Sequence, residues 1–454
     1  MRRSSTKERE PLPKGFGTIW TTVAVDLVGF GIVLPILPQY AEKFGATPTT
    51  IGVLVASFSM AQLLFAPLWG RLSDRFGRKP VLLISLFGTA LGSLLTGVAS
   101  GVAGGLALLF IGRIIDGASG ASVSVAQASV ADVAAPRDRA RLMGLLGAAF
   151  GVGFVAGPAI GALGALIGPQ VPFYLAASIS LANALVAIRR LPETSPAHRR
   201  ATVVATSAAA VPVGGPTDAA TDTSVAELEA ELERVGTLDG PQPGTPIESG
   251  AAVGASASTS PRVDVAVIVR LIMVSFVGMV AFSGFEATFA LLTDARFGLK
   301  LSGTGAVFTV IGLALVAVQV GLVGRVNDRL GESNTLRSGL VCNAVGLALL
   351  AVDGGWLTLV PSLMFLVVGQ GLITPTLSSA VAGRAGRARG SWLGWQQSAG
   401  GLARVIGPIL AGVIFQQIGV GAPYVVGAVL ALVALTLVPG TDHGSAADAA
   451  TGPR

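Results

Sequence analysis

The sequence predicts an all-α integral membrane protein in which twelve transmembrane helices form two pseudo-symmetric six-helix halves. Three observations carry this. Of the 454 residues, 52% are hydrophobic and only 12% are charged, with a mean hydropathy of +0.71; soluble domains carry roughly 25% charge. Twelve apolar stretches begin near Gly17, Ile51, Pro80, Gly104, Leu142, Val171, Val265, Gly303, Leu336, Trp356, Ser391 and Gly421. Each approaches the roughly 20 residues that a spanning helix needs, and all are too long and uniform for barrel strands of roughly ten alternating residues. Lastly, Gly70-Arg71-x-x-Asp74-Arg75-x-Gly77 recurs 254 residues later as Gly324-Arg325-x-x-Asp328-Arg329-x-Gly331, and Gly157-Pro158 recurs 250 later as Gly407-Pro408. Two motifs repeated at nearly one offset indicate parallel repeats.

In chain order, a polar tail over 1–16 precedes a first bundle over 17–190, and a linker over 191–263 precedes a second bundle over 264–438 and a tail over 439–454. The linker is rich in Ala, Thr, Ser, Gly, Pro and acids, a composition that cannot bury enough apolar surface to fold. Within it Ser224-Val-Ala-Glu227 has capping-box form and Val225, Leu228, Leu232 and Val235 share a helical face, so a short helix is predicted near 224–235. The polar opening residues and the long first apolar run predict no cleavable signal peptide.

The basic residues are one-sided. Arg2, Arg3, Lys7, Arg9, Lys14, Arg71 to Lys79, Arg137, Arg139, Arg141, Arg189, Arg190, Arg199, Arg200, Arg325, Arg329, Arg337, Arg384, Arg387 and Arg389 fall in alternate connections, whereas the others hold only Lys43, Arg296 and Lys300. The positive-inside rule then puts both termini and the linker on the cytoplasmic side of a plasma or inner membrane. The formal charge of +6 therefore sets orientation, and no nucleic-acid partner is expected. Cys342 is the single cysteine, so neither an intrachain disulfide nor a metal cluster is expected.

Between the second and third apolar stretches runs Gly70-Arg71-Leu72-Ser73-Asp74-Arg75-Phe76-Gly77-Arg78-Lys79-Pro80. At every fixed position it resembles the G-x-L-S/A-D-R-x-G-R-K-P signature of the major facilitator superfamily, which there joins helices 2 and 3. Gly70 and Gly77 would let helix ends approach, Asp74 would sit at a neighbouring helix N-terminus, and Arg78 would need a carboxylate, for which Asp132 is the candidate. Asp74, Arg75, Arg78 and Asp132 thus read as a conformational latch. The second copy ends in Glu332 instead of R-K-P and reads as the weaker one.

Gly153-Phe-Val-Ala-Gly157-Pro158-Ala-Ile-Gly161-Ala162 resembles the G-x-x-x-G-P-x-x-G-G signature of the antiporter branch, with Ala162 replacing the last glycine. Gly153, Gly157, Pro158 and Gly161 imply antiport, or simply tight helix packing with a proline bend.

His198 and His443 lie in the linker and the tail, so a proton carrier must be a carboxylate, and only Asp26, Asp116 and Glu286 fall inside predicted spans. Charges at such depths cost about 2.5–3.5 kcal/mol and mark function. Asp26 is about 13 Å into its span, near the midplane. Its stretch Asp26-Leu-Val-Gly29-Phe30-Gly31 through Pro35 and Pro38 resembles helix 1 of tetracycline-efflux-like drug:proton antiporters, which implies Asp26 as the proton carrier. Arg113-Ile-Ile-Asp116-Gly117 resembles the R-x-x-Q-G pattern whose arginine is linked to proton transfer. Asp116 replaces the glutamine and shares a helical face with Arg113, so the pair is either a relay or an internal ion pair. Glu286, near the outer end of helix 7, would pair with a cationic compound or lie at the interface. Gln370, Trp395, Gln396 and Gln397 are candidate cavity contacts, and Arg404 has no assigned depth.

The resemblance implies proton-coupled efflux of small amphiphilic compounds or drugs by alternating access, by a monomer in a lipid bilayer, with no cofactor beyond the proton gradient. A metabolite or sugar exporter, a proton symporter, or a transporter-like receptor are the competing readings. No phosphate-cradling loop, nucleophile–base pairing or metal-ligand spacing suggests an enzyme.

Overall fold

The computed structural model describes residues 12, 13, 15–134, 139–195, 264–386 and 389–440, and its regular elements are helices. In the first half these are α1 (Phe16–Val33), α2 (Leu37–Glu42), α3 (Pro48–Phe76), α4 (Arg78–Val98), α5 (Gly105–Ser119), α6 (Ser122–Val133), α7 (Arg139–Ile167) and α8 (Val171–Arg190). The second half holds α9 (Val265–Phe297), α10 (Leu301–Gly321), α11 (Val323–Ala351), α12 (Trp356–Arg384), α13 (Arg389–Gln417) and α14 (Ala422–Leu437). With α5 and α6 taken as one crossing, ten segments are long and apolar enough to span a membrane. The two shorter crossings are α14, with 16 residues, and α11, whose apolar part starts only beyond Gly331 and carries Arg337. Local signals set the ends. The Thr47 hydroxyl caps α3 by accepting from Thr50 N at 3.3 Å, and Asp264 caps α9 by accepting from Val267 N at 3.2 Å.

Three departures from the expected layout bear on function. The fourth crossing, predicted as one helix, breaks at Gly120–Ala121, where the Ser85 hydroxyl accepts from Ala121 N at 3.1 Å. Within α11, Gly331 leaves helical geometry (φ 74°, ψ 164°), matching Gly77 between α3 and α4 (φ 100°, ψ 161°). The repeat therefore extends to backbone conformation, and only glycine takes this region without strain. Third, the linker does not begin at 191. Leu191, Thr194 and Ser195 are buried, and the Glu193 carboxylate accepts from Arg78 N (2.9 Å), Lys79 N (3.1 Å), Thr194 N (2.9 Å) and Ser195 N (2.9 Å). Two of these donors are orphan N–H groups of the first turn of α4, so Glu193 is a cap supplied from 115 residues away. The helix expected near 224–235 lies outside the described residues.

Lipid supplies no hydrophobic drive between helices, so the bundles pack through small residues. The two bundles meet along α7/α10 and α3/α13. A Cβ at Gly305 would lie 2.9 Å from Ala162 Cβ, and one at Gly312 would strike the Phe154 backbone. On the other side Gly412 abuts Pro48, Gly52 abuts Pro408, and Gly401 faces Leu63. These contacts concentrate away from the basic connections. Toward the basic face Gly144, Gly147, Gly324, Gly394 and Gly400 have nothing within 4 Å of a Cβ position. At the opposite face, the buried Gln39 Nε2 donates across the halves to Ala290 O (2.9 Å), Leu299 O (2.8 Å) and Thr304 Oγ1 (3.0 Å). Beside it lies a cavity of about 490 Å³ lined by Glu42 and Lys43 from one half and Asp294 and Lys300 from the other, Lys300 reaching Asp294 at 2.7 Å.

Replacing Gln39 by Leu should loosen this closure by about 1–3 kcal/mol, roughly a 5- to 150-fold shift in population. Spin labels placed across the opposite face should then move apart, and an unchanged distance distribution would show that the glycine seams alone hold it. For Glu193, burial alone would raise the carboxyl, but the four N–H donors hold it below its ordinary value of 4.5. Its contribution is thus complete above that value and lost as pH falls below it. Glu193→Ala should lower the apparent thermal midpoint at neutral pH by the equivalent of about 1–3 kcal/mol, with the gap from wild type closing in acid; a pH-independent gap would contradict the cap.

Candidate functional site

Three charged side chains are buried together in the first bundle. On α5, Arg113 Nη1 donates to Asp116 Oδ2 at 2.9 Å, and the Arg113 guanidinium stands 4.3 Å above the Phe58 ring of α3. On α1, Asp26 Oδ2 accepts from the Ser122 hydroxyl at 2.5 Å, while Asp26 Oδ1 and Arg113 Nε are buried and, among the described residues, have no partner. Asp26 and Asp116 repel each other electrostatically. With Asp26 protonated the trio is neutral; ionised, it carries one net negative charge away from water. That single charge change is the chemistry the arrangement offers.

Backbone contacts hold the trio. A Cβ at Gly157 would lie 2.5 Å from Gly31 Cα, Gly153 abuts Leu27, and Gly161 abuts Ile32 and Ile36. The glycines of the Gly153–Gly161 motif therefore clamp α1, beginning one residue from Asp26. On α5, Gly112 faces Gly92 of α4 and Gly117 faces the Phe58 backbone, which fixes Arg113 and Asp116 between them. Ser122 opens α6 directly after the break at Gly120–Ala121. The sequence reading missed Ser122 and Phe58. A signal for Ser122 existed in the small-residue run Gly117-Ala-Ser119-Gly120-Ala121-Ser122, but the partner across 96 residues is a matter of packing.

At the basic face the structure brings Arg78 together with Asp132 (Nε–Oδ2 3.0 Å), Asp74 (Nη1–Oδ1 2.6 Å) and the Ser73 hydroxyl (2.7 Å). Asp74 does not sit at a neighbouring helix N-terminus. Its side chain is 70% exposed, Arg75 lies over the exposed Phe76 ring, and Gly70 faces open space. Among the described residues the polar contacts of this loop all come from its own half. In the second copy Glu332 takes the place of Arg78, and Arg384 that of Asp132, offset by 254 and 252 residues. They form the same bridge with the charges reversed, at 3.2 Å, and Ser379 donates to Glu332 at 2.8 Å. The second copy is a mirror in sign rather than a lost motif.

The second bundle's candidates are placed by α13. At about 100° per residue, Leu402, Ile406 and Val413 each lie within about 20° of Trp395 on one exposed apolar stripe, the lipid side. About 80–160° round from Trp395, Ala403, Gly407 and Ala411 pack on α9, where the Ser283 hydroxyl donates to Ala403 O at 3.2 Å. About 220–260° round, Gly401, Pro408 and Gly412 face α3. Arg404, directly opposite Trp395, is exposed between these two faces, as is Gln397. Trp395 therefore points to lipid rather than into a cavity, and half-buried Gln396 turns toward α9. Gln370 is engaged inside the bundle, accepting from Asn343 and donating to Thr374, both at 3.4 Å. Glu286 is not at the outer end of its crossing. The helix α9 continues to Phe297, so Glu286 lies about 16 Å before its end.

A membrane protein of two pseudo-symmetric six-helix bundles, with charge buried near mid-span and paired salt bridges on one face, is the class this fold defines. The family model described as Major Facilitator Superfamily matches residues 19–323 and 271–453, and the chain belongs to that family. It is 26% identical over 423 residues to Multidrug resistance protein 2 of Bacillus subtilis (strain 168), covering 93% of this chain and 94% of that protein. It is 28% identical over 399 residues to the class B tetracycline resistance protein of Escherichia coli, covering 87% and 86%. Among solved structures, a human organic anion transporter (TETRAN) superposes with TM-score 0.62 at 25% identity, covering 94% and 99%. A D-xylose-proton symporter reaches TM-score 0.68 at 17% identity, covering 94% and 99%, and shares the fold.

Reversing the sign of one partner, Arg78→Asp or Asp132→Arg, should destabilise the protein by about 1–3 kcal/mol, between the ranges for exposed and buried pairs. The Arg78→Asp/Asp132→Arg double exchange should recover most of it in a thermal-unfolding cycle, since the second half already uses that polarity. A double variant no better than the singles would mean that the bridge is incidental.

Proposed function

We propose that the protein is a secondary active transporter that exports small amphiphilic compounds in exchange for protons by alternating access. The observation that carries this is Asp26, buried in mid-span with one carboxylate oxygen bonded to Ser122 and the other, among the described residues, without a partner, in the field of Asp116, whose own charge is met by Arg113. The names of the relatives, multidrug and tetracycline resistance proteins, support the same reading. Asp26 takes a proton from one side and releases it to the other, and only the protonated form leaves the trio neutral while both faces are closed. Arg113 and Asp116 set the field in which that happens. Substrate occupies the water-filled seam between the bundles when Asp26 is ionised, and proton entry displaces it.

Orientation follows from charge. The face bearing Gly70–Pro80 and Gly324–Gly331 is cytoplasmic, with both termini and the linker there, in a cell membrane. The arrangement with Gln39 bonded across the halves is then open to the cytoplasm. Closing that side brings Asp74 to the N-terminus of a helix of the other bundle and makes the latch complete. The protein works as a monomer, and the proton gradient is the energy source with no cofactor.

In inside-out vesicles with an imposed pH gradient, wild type should accumulate an exported dye, and Asp26→Asn should reduce this to background while keeping dye binding that no longer varies with pH. Proton-driven movement by Asp26→Asn at wild-type rate would remove Asp26 from the carrier role, and exit rather than accumulation of the dye would indicate symport.

A further inference from the structure

Two opposite charges in the second bundle face the seam and, among the described residues, find no partner. Arg404 points between the faces that α13 presents to α9 and α3. Glu286 on α9 points away from α14, which Ala281 contacts through Gly427, and lies between the side packed on α13 (Val280, Ser283, Gly284) and the side where Phe289 meets Phe308 of α10. The Arg404 charge acts on Glu286. Yet among the described residues neither has a hydrogen bond or an ion pair within 4.0 Å. An arginine in mid-helix turned to lipid costs about 2.5–3.5 kcal/mol. Exposed Arg404, turned from the lipid stripe, therefore marks the seam as aqueous at this depth. In the first bundle, by contrast, Arg113 already holds Asp116.

We propose that Glu286 and Arg404 form a subsite for amphoteric ligands, compounds carrying a cationic amine and a carboxylate or comparable anion on one scaffold. Glu286 takes the amine. Arg404 takes the anion through its planar fork of donors. A simple cation meets Glu286 but is repelled by Arg404, and a simple anion meets the reverse, so charge pattern becomes a specificity filter. The subsite rests on reading the seam as the transport path and adds the charge class of what travels there.

The test uses purified full-length protein and two probes, norfloxacin, zwitterionic near neutral pH, and tetraphenylphosphonium, a permanent cation. Arg404→Gln should weaken norfloxacin binding about ten- to a hundredfold and leave tetraphenylphosphonium binding equal or tighter. Arg404→Lys should restore part of the loss, and Glu286→Gln should weaken both probes. Esterifying the norfloxacin carboxylate should cost wild type a similar factor and cost Arg404→Gln little, which frees the result from any one variant's folding. Equal losses for both probes in Arg404→Gln, or an ester that binds wild type as well as the acid, would overturn the subsite. Failure of the transport reading shows itself differently, as probes that bind with the expected selectivity but whose distribution ignores an imposed pH gradient.

Discussion

The contact of Gly31 with Gly157, backbone against backbone, is the constraint on which the rest of the polar interior depends. Lipid tails are as apolar as leucine, so helices inside a membrane gain little by hiding apolar surface from each other; they gain by approaching closely and satisfying polar groups. Gly153, Gly157 and Gly161 let α7 lie on α1, and Phe154 and Ala162, on another side of α7, meet Gly312 and Gly305 of α10. One helix thereby touches α1, which holds Asp26, on one face and the opposite bundle on another. Any shift of α7 relative to α10 is felt within one residue of Asp26.

The repeat reproduces this wedge. Gly407 lies on Val280 and Gly284 of α9, while Pro408 and Gly412 face Gly52 and Pro48 of α3. What the repeat does not reproduce is charge. The buried trio has no equivalent at the same level of α9, and the basic-face bridge is inverted, Arg78–Asp132 against Glu332–Arg384. Duplication has kept backbone geometry, seen in the matching angles of Gly77 and Gly331, and let charge diverge. That is physically reasonable, because a seam of close helices tolerates no Cβ, whereas an ion pair works with either sign.

Legibility followed range. The crossings, the repeat and the pairing of Arg78 with Asp132 could be read from hydropathy and motif. Arg113 and Asp116 were readable as one face because three residues of helix bring them together. Placements decided by rotation about a helix axis were not readable: Trp395 looked like a cavity aromatic, and its neighbours Leu402, Ile406 and Val413 assign it to lipid only once the faces held by α3 and α9 are known. Asp74 was expected to have a helix terminus as its partner and has instead Arg78, since which partner a latch meets depends on which face of the molecule is closed.

The amino-acid sequence by itself determined the number of crossings, the duplication and the family, because hydrophobic length and repeated motifs are properties of the chain read in order. Only the tertiary structure decided that Ser122 holds Asp26, that Glu193 caps α4 and that Gln39 ties the halves. Each of those joins residues far apart in the chain or fixes the angle of a side chain about its helix. Neither is encoded by any local pattern until the helices pack at the spacing their glycines allow.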